Sequence, residues 1–126
     1  MQMLSRYLLV AIGGGTGALA RYVAASAIMT RFGGAFPLGT LVVNVTGSFL
    51  IGLLMTLLTE RFHVDPRWRH LLVVGFLGGY TTFSTFEWET YAAVREGGLR
   101  TAALNIAASV TLGYAAVWLG SMLARR

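Results

Sequence analysis

Gly78-Gly79-Tyr80-Thr81-Thr82-Phe83-Ser84-Thr85-Phe86 lies inside an apolar run long enough to span a bilayer. Two glycines, four Ser or Thr residues and two phenylalanines three apart are not what a plain lipid-facing helix needs. Backbone groups freed by a helix break are too costly to leave in lipid, so a break at membrane depth lines a cavity. The segment predicts a third membrane helix broken near Gly78–Thr82 and a small polar or ionic substrate crossing beside it.

Working outward, 56% of the 126 residues are hydrophobic and only 12% charged. A soluble domain of this length carries about twice that charge, so the composition places the chain in the membrane class. The absence of cysteine excludes disulfides and cysteine metal sites. All ten basic residues are arginine, and the net charge is +5. They sit mostly at the ends of apolar runs, which reads as interfacial anchoring and not as a nucleic-acid surface.

Four apolar stretches, about 7–29, 38–59, 71–94 and 99–123, each approach or exceed the roughly 20 residues a crossing helix needs. The reading is an all-α integral membrane protein, one four-helix transmembrane domain over 1–126. Gly33-Gly34 with Pro37, the charged loop from Glu60 to Arg69, and Glu96-Gly97-Gly98 mark the connections. The first stretch has an Ala18-Leu19-Ala20 triplet like a cleavage site, but apolar character resumes beyond Arg21, so it is read as a span. Arg6, Arg61, Arg67, Arg69, Arg125 and Arg126 share one side, against Arg31, Arg95 and Arg100 on the other. That balance modestly favours cytoplasmic termini and is compatible with insertion both ways. Small-residue pairs at Gly13/Gly17, Ser48/Gly52 and Gly75/Gly79 suit close helix packing, within one subunit or between subunits. The small size favours an oligomer.

Thr40, Asn44 and Ser48 recur every four residues, as do Thr101, Asn105, Ser109 and Gly113. Each set shares a helix face and serves either interhelical hydrogen bonding or a pathway. The deep spans other than the third hold no Asp or Glu, and Glu87 and Glu89 lie just past the break. They are either solvated or the coupling carboxylates of a proton-driven exporter. Arg21 either snorkels or attracts an anion. Hydroxyls, amides, ring edges of Phe83 and Phe86, and free N–H groups of a half-helix starting near Ser84 all suit an anion. Carbonyls freed at Gly78 through Thr81 suit a cation. Gly13-Gly14-Gly15-Thr16-Gly17-Ala18 mimics a dinucleotide fingerprint but follows no strand, and Asn44-Val45-Thr46 is a glycosylation match at membrane depth; both are set aside. His63 and His70 have no metal-ligand company in the sequence, and no nucleophile–base pair is arguable, so no enzyme is expected.

The glycine run followed by Arg21-Tyr22, the stretch Gly39 through Phe49, and Gly75 through Phe86 together resemble the Fluc (CrcB) fluoride channels of bacteria, over essentially the whole chain. The resemblance implies an antiparallel, dual-topology homodimer of four-helix subunits in the bacterial inner membrane, passively exporting fluoride to lower its toxicity. It implies that Phe83, Phe86 and Asn44 line the fluoride pore, with Thr40, Thr82, Ser84 and Ser109 as further polar lining. Arg21 would stand at the aqueous approach, with Glu89 assigned to the same vestibule. A structural Na⁺ at the dimer centre would be held by the backbone carbonyls of Gly78 and Thr81. The rivals are a proton-coupled small-molecule exporter, which would need Glu87 or Glu89, and a structural membrane subunit without transport of its own.

Overall fold

The computed structural model describes residues 2–126, and among them every regular element is helical. Helix α1 is Gln2–Phe32 and α2 is Leu38–Arg61. A helical segment, α3, covers 67–80, and α4 is Phe83–Arg95. The last helix, α5, is Leu99–Arg125. Three of these, α1, α2 and α5, are long and apolar enough to cross a membrane. The expected third span is divided by Thr81 and Thr82, both extended, and neither α3 nor α4 reaches the length of a crossing by itself.

Local chemistry accounts for the ends. Pro37, which has no N–H to donate, stands at the cap of α2 and stops it from extending backwards. Past Arg95 the chain turns through Gly97 at φ +81°, where only glycine is unstrained. Gly98 N–H donates to the Ala93 carbonyl and Gly97 N–H to that of Val94, closing the Schellman pattern that ends α4. Wide π turns occupy Leu57–Arg61 at the end of α2 and His70–Leu77 in α3. No feature of the hydrophobic pattern had indicated them.

Two helix pairs organise the molecule. α2 packs along α5, and α1 packs along α3, with α4 on α5. The glycine pairs are spent inside the chain. A Cβ at Gly13 would overlap the Leu71 carbonyl, one at Gly17 that of Phe76, and one at Gly79 that of Gly14. The α1–α3 backbones therefore touch, as small residues allow in lipid. Gly52 and Gly120 do the same for α2 and α5, against the Val117 and Phe49 carbonyls. The exterior is apolar: Leu8, Ile12, Val23, Leu104, Val110 and Trp118 are all exposed, as a hydrocarbon solvent requires.

Candidate functional site: the helix break and its groove

The break is held by side chains that replace the missing helical hydrogen bonds. Asn44, on α2, makes two. Its Nδ2 donates to the Thr82 carbonyl at 2.9 Å, and its Oδ1 accepts from the Thr82 N–H at 2.8 Å. Because the peptide's donor and acceptor are distinct, this pairing also fixes which way the amide faces. Among the described residues, one N–H of Asn44 is left over. The Thr81 N–H and hydroxyl both donate to the Leu77 carbonyl, at 3.0 and 2.9 Å, closing α3. The Thr82 hydroxyl accepts from the Thr85 N–H at 3.2 Å and caps α4. α4 thus starts at Phe83, one residue before the sequence reading put it, because Thr82 is the cap. The N–H groups of Phe83 and Ser84 lie in the first turn, which has no intrahelical acceptors to offer.

Arg21 reaches the break from α1. Its Nε donates to the Gly79 carbonyl at 3.0 Å, and the side chain is half-buried. It therefore ties α1 to the break. The neighbouring carbonyls of Gly78 and Thr81 accept no hydrogen bond among the described residues. Gly47 sits opposite, and a Cβ there would overlap the Thr81 methyl, so only glycine lets α2 approach this closely.

Beside the break lies an open groove of about 500 Å³, lined by Asn44, Gly47, Ser48, Gly78, Thr81, Thr82 and Phe83, with Ile51, Val73, Val74 and Leu77 as its apolar floor. Phe83 and Phe86 have ring centroids 5.8 Å apart, tilted by 56°. Their surroundings differ: Phe86 is 7% exposed and Phe83 74%.

A family profile described as CrcB-like protein, Camphor Resistance (CrcB), matches residues 8–121, which contain every group just named. The chain belongs to the CrcB family. It is 68% identical over 121 residues to the fluoride-specific ion channel FluC of Solibacter usitatus, covering 96% of this chain and 99% of that one. It is 50% identical to the protein of the same description in Acidobacterium capsulatum, covering 96% and 97%. Against that of Geobacter sulfurreducens the figure is 43%, covering 98% and 99%.

Of the other sequence-predicted residues of this CrcB chain, Asn105 and Ser109 fall into a second cluster behind Phe86. Asn105 of α5 is 2% exposed, and its Nδ2 donates to the Thr90 hydroxyl at 2.9 Å. That hydroxyl donates to the Phe86 carbonyl at 2.8 Å, and the Ser109 hydroxyl donates to Asn105 Oδ1 at 3.4 Å. The sequence singled out Ser109 as lining and gave Thr90 no role. The residue that joins α5 to the phenylalanine helix is Asn105. Its place in the four-residue stripe was the available signal. Glu89, one turn beyond Phe86, is half-buried and has a buried carboxylate oxygen, Oε1, with no hydrogen-bond partner among the described residues. Glu87 is exposed. Thr40 is 8% exposed near the start of α2, and Ser84 is exposed; neither lines the groove.

Proposed function

We propose that this chain is a fluoride-selective channel that lets the ion leave the cytoplasm passively and so lowers its toxicity. The relatives' names favour a channel over a proton-coupled exporter. The observation that carries the reading is the side-chain-held break. Asn44 and Thr82 satisfy one another, while an Asn44 N–H and the first-turn amides of Phe83 and Ser84 stay available next to two tilted phenylalanines. Fluoride is small and strongly hydrated, so conduction needs fixed donors to replace its water as it moves. Amide and hydroxyl donors, the positive end of α4 and ring edges supply them. Thr82, Ser84, Ser109 and Thr40 would extend the polar lining, with Arg21 and Glu89 toward the aqueous approaches.

A second copy completes the molecule in this reading. The polar groove, the unpartnered Gly78 and Thr81 carbonyls and the exposed Phe83 face outward from one chain. Each unsatisfied backbone group left in hydrocarbon costs several kcal/mol, so lipid is a poor cover and an antiparallel copy across a two-fold axis a good one. On this reading α3 and α4 together make the third of four crossings. The weak arginine asymmetry permits the dual topology, in the bacterial inner membrane. A two-fold axis beside the break would bring Gly78 and Thr81 carbonyls from both copies together, an all-oxygen donor set of the kind hard cations take. Sodium held there would neutralise the converging carbonyl dipoles. Arg21, by occupying Gly79, leaves that pair of carbonyls for the ion.

Fluoride efflux from liposomes containing the purified protein, with chloride as control, tests the proposal. Wild type should release fluoride and retain chloride. Phe83→Ile should lower fluoride flux about a hundred-fold, a barrier change of roughly 3 kcal/mol, in protein that still assembles. Equal release of the two halides, or unchanged flux in the variant, would sink it.

A further inference from the structure

We infer that the junction of α1 and α3 holds a phosphate-bearing lipid, bound by its headgroup in a basic pocket and by a chain along an adjoining apolar groove. The pocket lies between the start of α1 and the start of α3 and presents Arg6, Arg67 and His70, in a space of about 360 Å³. Beside it is a groove of about 230 Å³ whose walls include Leu9, Trp68 and Leu71. Asp65 and Arg67 line both spaces, so the two adjoin. The basic part lies at the ends of the helices and the apolar part begins one turn further in, in the order of a lipid's own headgroup and chain.

Charge and hydrogen bonding select the headgroup. Only two ion pairs form among the described residues, Arg67 with Asp65 and Arg125 with Glu60, so Arg6 has no carboxylate partner. Asp65 cancels most of Arg67, with contacts at 3.0 and 2.8 Å, which leaves Arg6 as the uncompensated cation of the pocket. His70 Nδ1 lies 2.9 Å from the Pro66 carbonyl, which can only accept, so Nδ1 carries the proton. In that tautomer Nε2 is an acceptor, suited to a headgroup hydroxyl. A phosphodiester oxygen on Arg6 and a hydroxyl on His70 describe a phosphatidylglycerol headgroup better than a choline one, which has no hydroxyl to give. Trp68, 52% exposed, supplies the amphipathic ring that sits at headgroup level. The apolar groove decides for lipid over free phosphate, since inorganic phosphate has nothing to place against Leu9 and Leu71.

Trp68 is also the reporter. In the full chain carrying Trp88→Phe and Trp118→Phe, its fluorescence is followed in phosphatidylcholine vesicles with rising fractions of brominated phosphatidylglycerol or brominated phosphatidylcholine. Half-maximal quenching should need about fivefold less of the glycerol lipid, the preference one basic residue near a surface gives. Arg6→Gln should remove that preference, and Arg6→Lys should keep most of it. Equal quenching by the two lipids, or a preference that survives Arg6→Gln in folded protein, overturns the site. So does loss of the preference in ~10 mM inorganic phosphate but not in chloride of matched ionic strength, because that marks a free-anion site. Should Arg6→Gln fail to insert, Arg67→Gln with Asp65→Asn removes the neighbouring pair and leaves Arg6 in place. The preference should then persist, and its disappearance overturns the assignment to Arg6.

Discussion

The α2–α5 seam and the break between α3 and α4 are built from the same few residue types, and they use them in opposite ways. Along the seam, Gly52 and Gly120 bring two unbroken helices into backbone contact, and Thr56 bonds Ser121 at 2.7 Å. Neither helix is interrupted there, so the polar side chains have no freed mid-helix peptide to serve. At the break the helix stops serving its own backbone for two residues. Asn44, Arg21, Thr81 and Thr82 then take over that work with specific bonds. The difference teaches where an ion pathway comes from in so small a chain. On the proposed reading, glycine and hydroxyl residues do not make one by themselves; a break would, when side chains satisfy some of its groups and leave others exposed.

The largest effect should follow from removing Asn44, which bonds both polar groups of one peptide unit. Asn44→Ala strands the Thr82 N–H and carbonyl beside the groove. Each unpaired group costs about 1–3 kcal/mol. Stability in an SDS titration should fall by ~2–4 kcal/mol, the range that follows from two such groups with partial relaxation. Fluoride flux should disappear with it. A variant as stable as wild type would mean that the break does not depend on α2, and the contrast with the seam would lose its basis.

Arg21→Lys sharpens the same contrast with a smaller expected effect. Lysine keeps the charge but not the planar fork that lets Nε meet the Gly79 carbonyl. If Arg21 served only by attracting anions, the substitution would leave flux and stability alone. As a tie to the break, its loss should cost roughly 1.5–3 kcal/mol, the scale of a hydrogen bond involving a charged group. It should also make the protein's stability less sensitive to added sodium, because a freed Gly79 carbonyl perturbs the Gly78 and Thr81 pair. An unchanged sodium response would separate Arg21 from the cation reading.

Much of this architecture is legible in the sequence because lipid simplifies the code. Apolar length gives three of the four expected spans, and Gly78 through Phe86 stands out since nothing else in the chain puts so many hydroxyls in an apolar run. The Gly97 turn is readable as well, from two adjacent glycines after a charged helix end. What spacing does not reveal is partnership. Thr40, Asn44 and Ser48 look equivalent on one face, yet only Asn44 lies level with Thr82, 38 residues away. Asn105 and Ser109 look equivalent too, and it is Asn105 that is buried on Thr90. Arg21 is visible as a costly charge, but its acceptor is a backbone carbonyl, which has no side-chain signature. The same holds for the carbonyls of Gly78 and Thr81. The π turn of α3 lies where that helix packs on α1, and hydrophobic periodicity over eight residues is too short to register it.

The smallest effect belongs to the seam. Thr56 is 6% exposed, so its bond to Ser121 is as buried as anything at the break, and burial alone would rank the two alike. The physical difference lies in what happens when the bond is lost. A threonine or serine hydroxyl on an intact helix can turn back to the carbonyl four residues earlier, so neither partner is stranded. Interhelical hydrogen bonds in a membrane protein average only about 0.6 kcal/mol, because the separated helices also find partners for such groups. Thr56→Val, Ser121→Ala and the double variant should each lie within ~1 kcal/mol of wild type, with the cycle yielding a coupling of a few tenths and fluoride flux unaltered. A coupling as large as that of Asn44 with Thr82 would show that a buried hydroxyl pair on unbroken helices is as demanding as a bond to a freed peptide. The break would then hold no special place in the energetics of the chain.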